Sequence, residues 1–469
     1  MKRDDSNSDD DLTLQLDWSA YRDAGMGDAY ADIPQHGGNY GKAIAACINS
    51  GQCEAGGKQV MCPSYRISGN INLSTGGRVR LLKTALNSSQ KNQPLLTPEL
   101  QNAMDLCVSC KGCKRECESN VDMPLIKAEY LAQKYQQQPR PLRSRLFANL
   151  PQLLHQYPWL SQLIRWRNQQ PWIRALVDPL LKLNSYVDLP QPDGRKINPV
   201  SEPLTDSATD PNNEQTAKTV VLFLDTFTRE FEPHIVDASL KVLKAAGYRV
   251  KLLQPEKERP YCCGRSWLAQ GMIERARQEA SRLVNAMLPL VQQGHTIVGL
   301  EASCVLGLRD DAQALGLGDS VQQVAKHTFL LEEFLAREAK SGSLKLPLKQ
   351  PEHAALIHGH CHQKATGAMK SMRRVLKLAP ANQFEFIDAS CCGMAGSFGL
   401  EAEHAQHSRA MAEQGLLPAL QQRGERQVIA NGFSCRQQIR NHSDAKPRHL
   451  AEWLADCIDD EHTEHSEAD

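Results

Sequence analysis

The first residues, MKRDDSNSDDD, are polar and acidic, and the stretch ahead of about residue 35 shows no sustained apolar period. Residues 1–34 therefore read as a disordered or extended leader. Helical periodicity follows over 77–87, 100–106 and 125–135, which predicts a helical domain over 35–140. Residues 141–184 carry a Pro-punctuated amphipathic pattern in which Trp159, Trp166 and Trp172 are interleaved with arginines. An amphipathic stripe ordinarily faces a core. This stretch is expected to be a helical arm packed on its own domains, and a surface that docks a membrane or a partner is the alternative. Residues 185–218, rich in Pro, Asp, Asn and Ser without an apolar period, have the composition of a linker.

From 219 the period changes. A short β run at 220–224, a helix over 233–246 closed by Gly247, and a second strand at 248–253 predict an α/β layer with parallel strands. The pattern then repeats. Val-Leu-Phe-Leu ending at 224 matches Ala-Leu-Ile-His ending at 358, Cys262-Cys263-Gly264 matches Cys391-Cys392-Gly393, and the run ending at Cys304 matches the run ending at Cys435. The shifts of 134, 129 and 131 residues mark two copies of one unit, over 219–345 and 346–458, before an acidic tail at 459–469.

Fifteen cysteines change the picture. Cys107, Cys110, Cys113 and Cys117 are spaced C-x2-C-x2-C-x3-C, the spacing of a bacterial ferredoxin run that holds a [4Fe–4S] cluster. Zinc sites favour paired knuckles well separated in sequence. Gly112 is expected to let the backbone approach inorganic sulfide. An incomplete second run precedes it: Cys47, Cys53 and Cys62-Pro63, with Ser50 where a middle cysteine would stand. In two-cluster ferredoxins the last cysteine of each run serves the other cluster. One cluster would then take Cys107, Cys110, Cys113 and Cys62. Cys47, Cys53 and Cys117 would form a second set lacking a fourth thiolate. That set leaves three outcomes open: a [3Fe–4S] cluster, a non-cysteine ligand, or no second cluster with Cys117 closing the first.

In the repeats, a Cys-Cys-Gly turn can aim both sulfurs at one site. Each such turn precedes a helical stretch (267–286 and 400–417), whose N-terminus favours thiolate. Copy one offers Cys262, Cys263 and Cys304, with Phe227 at the place where copy two has Cys361. Copy two offers four thiols, Cys361, Cys391, Cys392 and Cys435, so it is expected to bind a metal or cluster more readily. His360 and His362, beside Cys361, are either ligands or proton donors, or hydrogen-bonded structural histidines. Cys457 reads as a structural thiol.

Charge and composition exclude other classes. Lys+Arg and Asp+Glu both number 54, so there is no electrostatic footprint for nucleic acid. No apolar stretch approaches the ~20 residues of a membrane span, and the N-terminus lacks the apolar core of a secretory signal. Together with clustered cysteines, this predicts a cytoplasmic protein, with the inner membrane face as the site of any peripheral attachment.

The segments MCPSYR at 61–66, MDLCVSCKGCKRECESNVDM at 104–123, CCGRSWLAQGM at 262–272, HGHCHQKA at 358–365, CCGMAGSFGLE at 391–401 and NGFSC at 431–435 carry a resemblance. They resemble the C-terminal iron–sulfur half of FAD-linked D-2-hydroxyglutarate and D-lactate dehydrogenases. They are also similar to glycolate oxidase iron–sulfur subunits and to the cysteine-rich CCG domain found in heterodisulfide reductase. The resemblance implies an α+β multidomain protein: an α-helical ferredoxin domain followed by two α/β cysteine-rich (CCG) repeat units. It implies [4Fe–4S] centres, a non-cubane cluster in the second CCG repeat, and electron transfer from a flavin to a quinone or other carrier. No dinucleotide motif and no room for a flavin domain precede the cysteines, so FAD is expected on a partner subunit, and the chain is not expected to be catalytically complete alone. The chain departs from the family at Thr75-Gly-Gly-Arg78, Glu54-Ala55 and Glu118. Two alternatives remain: a heterodisulfide-reductase-like enzyme acting at the second CCG site, and a zinc-binding redox sensor.

Overall fold

A computed structural model describes residues 12–25, 32–55, 60–88, 94–195, 197, 218–255 and 259–459. Most of the leader, much of the expected linker, and the acidic tail from 460 lie outside these residues.

The N-terminal part is helical, as its periodicity predicts. Its helices are α1 (Gly38–Ala45), α2 (Pro63–Ser68), α3 (Thr75–Leu86), α4 (Pro98–Asp105), α5 (Gly112–Glu116) and α6 (Met123–Gln137). Polar side chains set the starts: Ser74 accepts from Gly77 N–H ahead of α3, and Asp122 accepts from Leu125 N–H ahead of α6. Residues 12–18 of the leader are not free. Leu16 and Trp18 are buried, and the Glu129 carboxylate of α6 accepts from Leu16 N–H (2.8 Å) and Trp18 Nε1–H (3.1 Å). The arm forms α7 (Leu142–Gln156), α8 (Leu160–Gln169) and α9 (Pro171–Leu181). Residues 185–195 of the expected linker are anchored at Val187, which is buried against the second repeat.

Each repeat builds a parallel sheet. Copy one runs β1 (Thr219–Phe223), α10 (Thr226–Phe231), α11 (Pro233–Ala245), β2 (Arg249–Leu253), α12 (Arg265–Ala269), α13 (Ile273–Gln292), β3 (Thr296–Gly299), α14 (Ala302–Arg309), α15 (Asp319–Lys326), β4 (Thr328–Leu330) and α16 (Leu331–Lys340). Copy two runs β5 (Ala355–His358), α17 (Cys361–Thr366), α18 (Met369–Leu376), β6 (Phe384–Phe386), α19 (Ala405–Glu413), α20 (Leu416–Gln421), β7 (Gln427–Ala430), α21 (Phe433–His442) and α22 (Leu450–Asp456). The strand orders are β2-β1-β3-β4 and β6-β5-β7. Among the described residues the second sheet lacks the edge strand of the first, and a parallel bridge, Ile429 to Arg448, stands in that place.

Two expected helices are interrupted. Over 267–286 the chain breaks between α12 and α13 at Gly271, whose φ is +67°. A Cβ there would sit 2.6 Å from Leu131 Cβ, so α6 crosses this corner at a distance only glycine allows. After Gly393, positive φ at Gly393, Ala395 and Gly396 holds the chain in turns and 3-10 segments until α19. The second Cys-Cys-Gly turn therefore does not lead directly into a helix.

The repeats share one core. Leu222 and Val298 from the first sheet and Ile357 and Ile429 from the second are buried with side chains of α11, α16, α18 and α22. Cys457 is buried in this core, far in sequence from every cysteine motif. Across the same interface Glu232 accepts from Arg436 Nε (3.1 Å) and from Arg440 Nη2 (2.6 Å). Burial alone would raise the Glu232 carboxyl, but the two guanidinium groups outweigh it and hold it at about 2.

Candidate metal centres

All fifteen cysteines are free thiols, so a disulfide framework is absent. The ferredoxin-type run wraps one cavity. Cys107 lies in the loop after α4, Cys110 precedes α5 and Cys113 lies within it, and left-handed φ at Ser109 (50°) and Lys111 (60°) tightens the turn. Cys62, also left-handed (φ 55°) and followed by Pro63, opens α2 on the opposite side. A small cavity is lined by Cys62, Cys107, Cys110 and Cys113 together with Thr75, Arg78 and Met123. Four thiols around one buried cavity fit a cubane cluster. Cys117 does not line that cavity; its electrostatic neighbours include Cys47, which also faces Cys53.

Gly112 has a packing role that its sequence reading did not include. A Cβ at Gly112 would lie 2.8 Å from Met61 N and Cα. The glycine lets α5 close onto the 60–62 segment, which the Glu116 carboxylate also grips through Val60 N–H (2.9 Å) and Met61 N–H (2.8 Å).

Helix α3 points its N-terminus between the two cysteine groups. Thr75 N–H donates to Cys62 Sγ (3.1 Å) and Gly76 N–H donates to Cys53 Sγ (3.3 Å). Both sulfurs thus accept from the N-terminus of one helix, where backbone N–H groups are unpaired within the helix. Burial pushes the Cys62 thiol up to about 11, partly offset by Arg78. For Cys107 burial is outweighed by Arg78 and Lys127, which bring the thiol below its ordinary value. Arg78 is fully buried, with Nε donating to Ala103 O (2.7 Å). The Cys47, Cys53 and Cys117 group has no fourth cysteine, and Ser50 is exposed.

In copy two, helix N-termini converge on the thiols. Cys361 is the first residue of α17, and Cys435 is the third residue of α21. Cys391 and Cys392 lie on the turn after β6, where Gly393 N–H donates to Cys391 Sγ (3.4 Å). The thiols hydrogen-bond in a chain, Cys361 to Cys391 to Cys392 to Cys435. The bond from Cys391, aided by His360 and Lys364, brings Cys361 down to about 6. Lys364 stays close to all four sulfurs and is fixed by donating to Ala389 O.

The histidines sort themselves. His358, at the end of β5, has a ring nitrogen within 4.8 Å of Cys392 and Cys435 sulfurs. His360 caps α17, its Nδ1 accepting from His362 N–H (3.2 Å). His362 Nε2 lies 3.1 Å from Ser109 O and 3.1 Å from Arg265 Nη2. Thus His358, rather than His360 or His362, joins the thiol group. The sequence offered no signal separating these three, because strand end and cap look alike as H-x-H-x-H.

Copy one holds Cys262, Cys263 and Cys304, with Cys263 Sγ 3.1 Å from Cys304 Sγ. The register corrects its fourth position. Phe223 pairs with Gly299, His358 pairs with Ala430, and the 131-residue shift between Cys304 and Cys435 carries 299 to 430. Position 361 therefore corresponds to Thr226, not Phe227. Thr226 makes the hydrogen bond to Cys262 that Cys361 makes to Cys391. Phe227 instead stacks on Phe433 with ring centroids 5.0 Å apart.

The sites are neighbours. Helix α5 packs on α17, and Cys110, Cys361 and Cys391 share one apolar cluster with Val60, Phe398 and Met411. Lys111, buried, pairs with Asp310 and Asp311 of copy one and lies 3.6 Å from Asp122. Arg265, next to the first Cys-Cys-Gly turn, pairs with Asp311. A larger cavity of about 540 Å³ reaches Cys107 and Cys361 and is walled by Phe147, Phe231, Phe398 and Phe433. Arg78, Lys364 and Arg265 lie inside quoted segments but were given no role there; only their place beside sulfur in the fold marks them.

A family model described as a 4Fe-4S dicluster domain matches residues 43–121, and one described as a cysteine-rich domain matches residues 355–440. The chain is 24% identical over 459 residues to D-2-hydroxyglutarate dehydrogenase of Escherichia coli (strain K12), covering 88% of this chain and 43% of that protein. It is 23% identical over 432 residues to the glycolate oxidase iron-sulfur subunit of the same organism, covering 89% of this chain and 95% of that one. It is 27% identical over 240 residues to one of the subunits of anaerobic glycerol-3-phosphate dehydrogenase, also of that organism, covering 51% of this chain and 59% of the relative. Thus the chain spans under half the length of the D-2-hydroxyglutarate dehydrogenases that it matches.

Proposed function

We propose that this chain, a member of the family of iron–sulfur proteins with cysteine-rich CCG domains, is the electron-transfer component of a flavin-dependent 2-hydroxyacid dehydrogenase. Two relatives are named for D-2-hydroxyglutarate and glycolate, both 2-hydroxyacids. The flavin would sit on a partner subunit and take the hydride there. Cys62, Cys107, Cys110 and Cys113 would hold one [4Fe–4S] cluster, and Cys361, Cys391, Cys392 and Cys435 a second centre. Cys47, Cys53 and Cys117, and Cys262, Cys263 and Cys304, are the incomplete sets. Bound clusters supply one-electron transfer.

The observation that carries this reading is the burial of Cys110 and Cys391 in one apolar cluster, with Cys361 half-buried against it. It makes the two four-thiol sets near neighbours across apolar side chains. Around them the chain supplies charge and exclusion. Arg78, Lys127 and Lys364 place positive charge beside the sulfurs and favour thiolate. Thr75 N–H and Gly393 N–H donate to sulfur and, in a filled site, would tune potential. The aromatic walls of the 540 Å³ cavity suit a flat apolar acceptor such as a quinone. A second reading, reduction of a disulfide acceptor at the second CCG site, draws on the same cavity because it reaches Cys361 directly.

The test is anaerobic purification with iron, sulfide and zinc counts, followed by EPR of the oxidised and reduced protein. Iron with sulfide is expected. Cys110→Ala should remove one reduced-state signal and leave that of the Cys392 site, and Cys392→Ala the converse. Zinc without sulfide would overturn the proposal.

A further inference from the structure

Twelve large apolar side chains are exposed among the described residues, and ten of them fall between Leu142 and Tyr186. The exposure is ordered. Trp159, Leu163 and Trp166 recur at helical spacing along the start and outer face of α8. Trp172, Leu176 and Leu180 recur every fourth residue on α9 and are 67%, 68% and 79% exposed. Behind them lies an ion pair. Arg167 and Asp178 are buried and joined by two bonds, Nη2 to Oδ2 at 2.7 Å and Nε to Oδ1 at 2.9 Å. Arg167 also donates to Val187 O (2.7 Å) and Asn184 O (3.0 Å). A helical pair made for water buries its leucines and exposes its charges; α8 and α9 do the reverse. Helix α7 packs Ala148 and Leu154 on the chain's own domains, whereas the outer stripes of α8 and α9 stay uncovered.

The chemistry of the face selects its occupant. Residues 141–186 hold six Lys and Arg; Arg167 is buried with Asp178, Arg143 pairs with Glu401 and Glu403, and Arg174 pairs with Asp188, which leaves Arg145, Arg165 and Lys182 outside the ion pairs of the described residues. Exposed Trp and Tyr side chains beside leucines and basic residues match the bilayer interface, where aromatic rings sit at headgroup level and Lys and Arg meet anionic lipid. Helices of 10 and 11 residues are too short to cross a bilayer. They are suited to lying in its surface. A docked protein would ordinarily present a rim of both signs, whereas the acids next to this arm, Asp188, Glu401 and Glu403, are already paired with its own arginines.

We propose that the outer face of α8 and α9 seats this protein on an anionic phospholipid surface. The proposal stands on the arm alone and is independent of what fills the thiol sites. The arm also walls the large cavity, through Phe147, Leu150 and Ile164, so docking would bring that cavity close to the lipid.

The experiment is co-sedimentation of the full, anaerobically purified chain with vesicles of phosphatidylcholine, with and without phosphatidylglycerol, monitored also by tryptophan fluorescence. Binding to the anionic vesicles is expected, with a blue shift and weakening as salt rises. Leu176→Glu with Leu180→Glu should lower affinity by roughly tenfold or more. Trp166→Ser should lower it less. Both should leave iron content and circular dichroism unchanged, since these side chains face solvent. Failure to bind either vesicle, or equal binding by the double variant, would overturn the proposal. So would concentration-dependent self-association that the double variant abolishes, which would give the face to a second copy. Iron and sulfide counts on the same samples report separately on the electron-transfer reading.

Discussion

Position 226 decides how many thiols copy one could offer. Motif matching places Phe227 opposite Cys361, but sheet register places Thr226 there, bonded to Cys262. Thr226→Cys is therefore expected to complete a four-thiol set and to raise iron and sulfide per chain after anaerobic reconstitution. Phe227→Cys is expected to add no iron and to loosen the stack on Phe433. Equal iron in the two variants would sink the register argument. The cysteines themselves were legible, because ligand spacing within a tight loop is a local property. The sharing of ligands between two runs also groups Cys62 with Cys107, Cys110 and Cys113, the four thiols that line one cavity here. Lys364, Arg78 and His358 were not legible. Their significance lies in burial beside sulfur, which depends on residues far away in the chain.

At the scale of elements, the chain repeatedly aims helix starts at sulfur: α3 at Cys62 and Cys53, α14 through Cys304, α17 through Cys361 and α21 through Cys435. Helix α3 depends on one glycine to do so. A Cβ at Gly77 would lie 2.0 Å from Ile71 O and 2.6 Å from Asn72 Cα, with backbone on the other side and nothing able to rotate away. Gly77→Ala should therefore push α3 off the 71–72 turn and cost about 1–3 kcal/mol, the usual range for overpacking. The check is anaerobic thermal melting with iron analysis. Both Tm and iron retention should fall, whereas Gly69→Ala, with nothing within 4 Å but φ at +66°, should lower Tm modestly and keep its iron. Periodicity located the helices at 75–86, 98–105 and 123–137 to within two residues. It missed the breaks at Gly271 and after Gly393. The first is imposed by α6 passing overhead and the second by a run of left-handed residues, and neither leaves a trace in the apolar pattern.

For the whole molecule, the two-copy design was legible as a repeat, but how the copies lock together was not. The arm illustrates the same limit, because its amphipathic stripe gives a face without saying what covers it. Several of the locking groups are polar residues drawn from distant segments: Glu232 with Arg436, Glu301 with Phe433 N–H (2.8 Å), and His449 with Leu300. His449 gives this lock a pH dependence. It is buried, its Nε2 lies 3.2 Å from Leu300 O at the end of β3, and its Nδ1 accepts from Ala451 N–H (3.0 Å) to cap α22. Both contacts are satisfied by one neutral tautomer, with the proton on Nε2. Burial first, and then the Arg436 charge, lower the ring from its ordinary 6.5 to about 3. Because the folded value is the lower one, the unfolded chain binds the extra proton between about 6.5 and 3. Stability from this group is full above that window and declines as pH falls through it, by at most about 1.4 kcal/mol per unit. His449→Asn keeps a capping oxygen, loses the bond to Leu300 and cannot be protonated. The wild-type chain should therefore melt above the variant at pH 7.5, and the gap should narrow as pH is lowered to 5.5 under anaerobic conditions. A gap that stays constant or widens toward acid would show that His449 is not held neutral between the repeats.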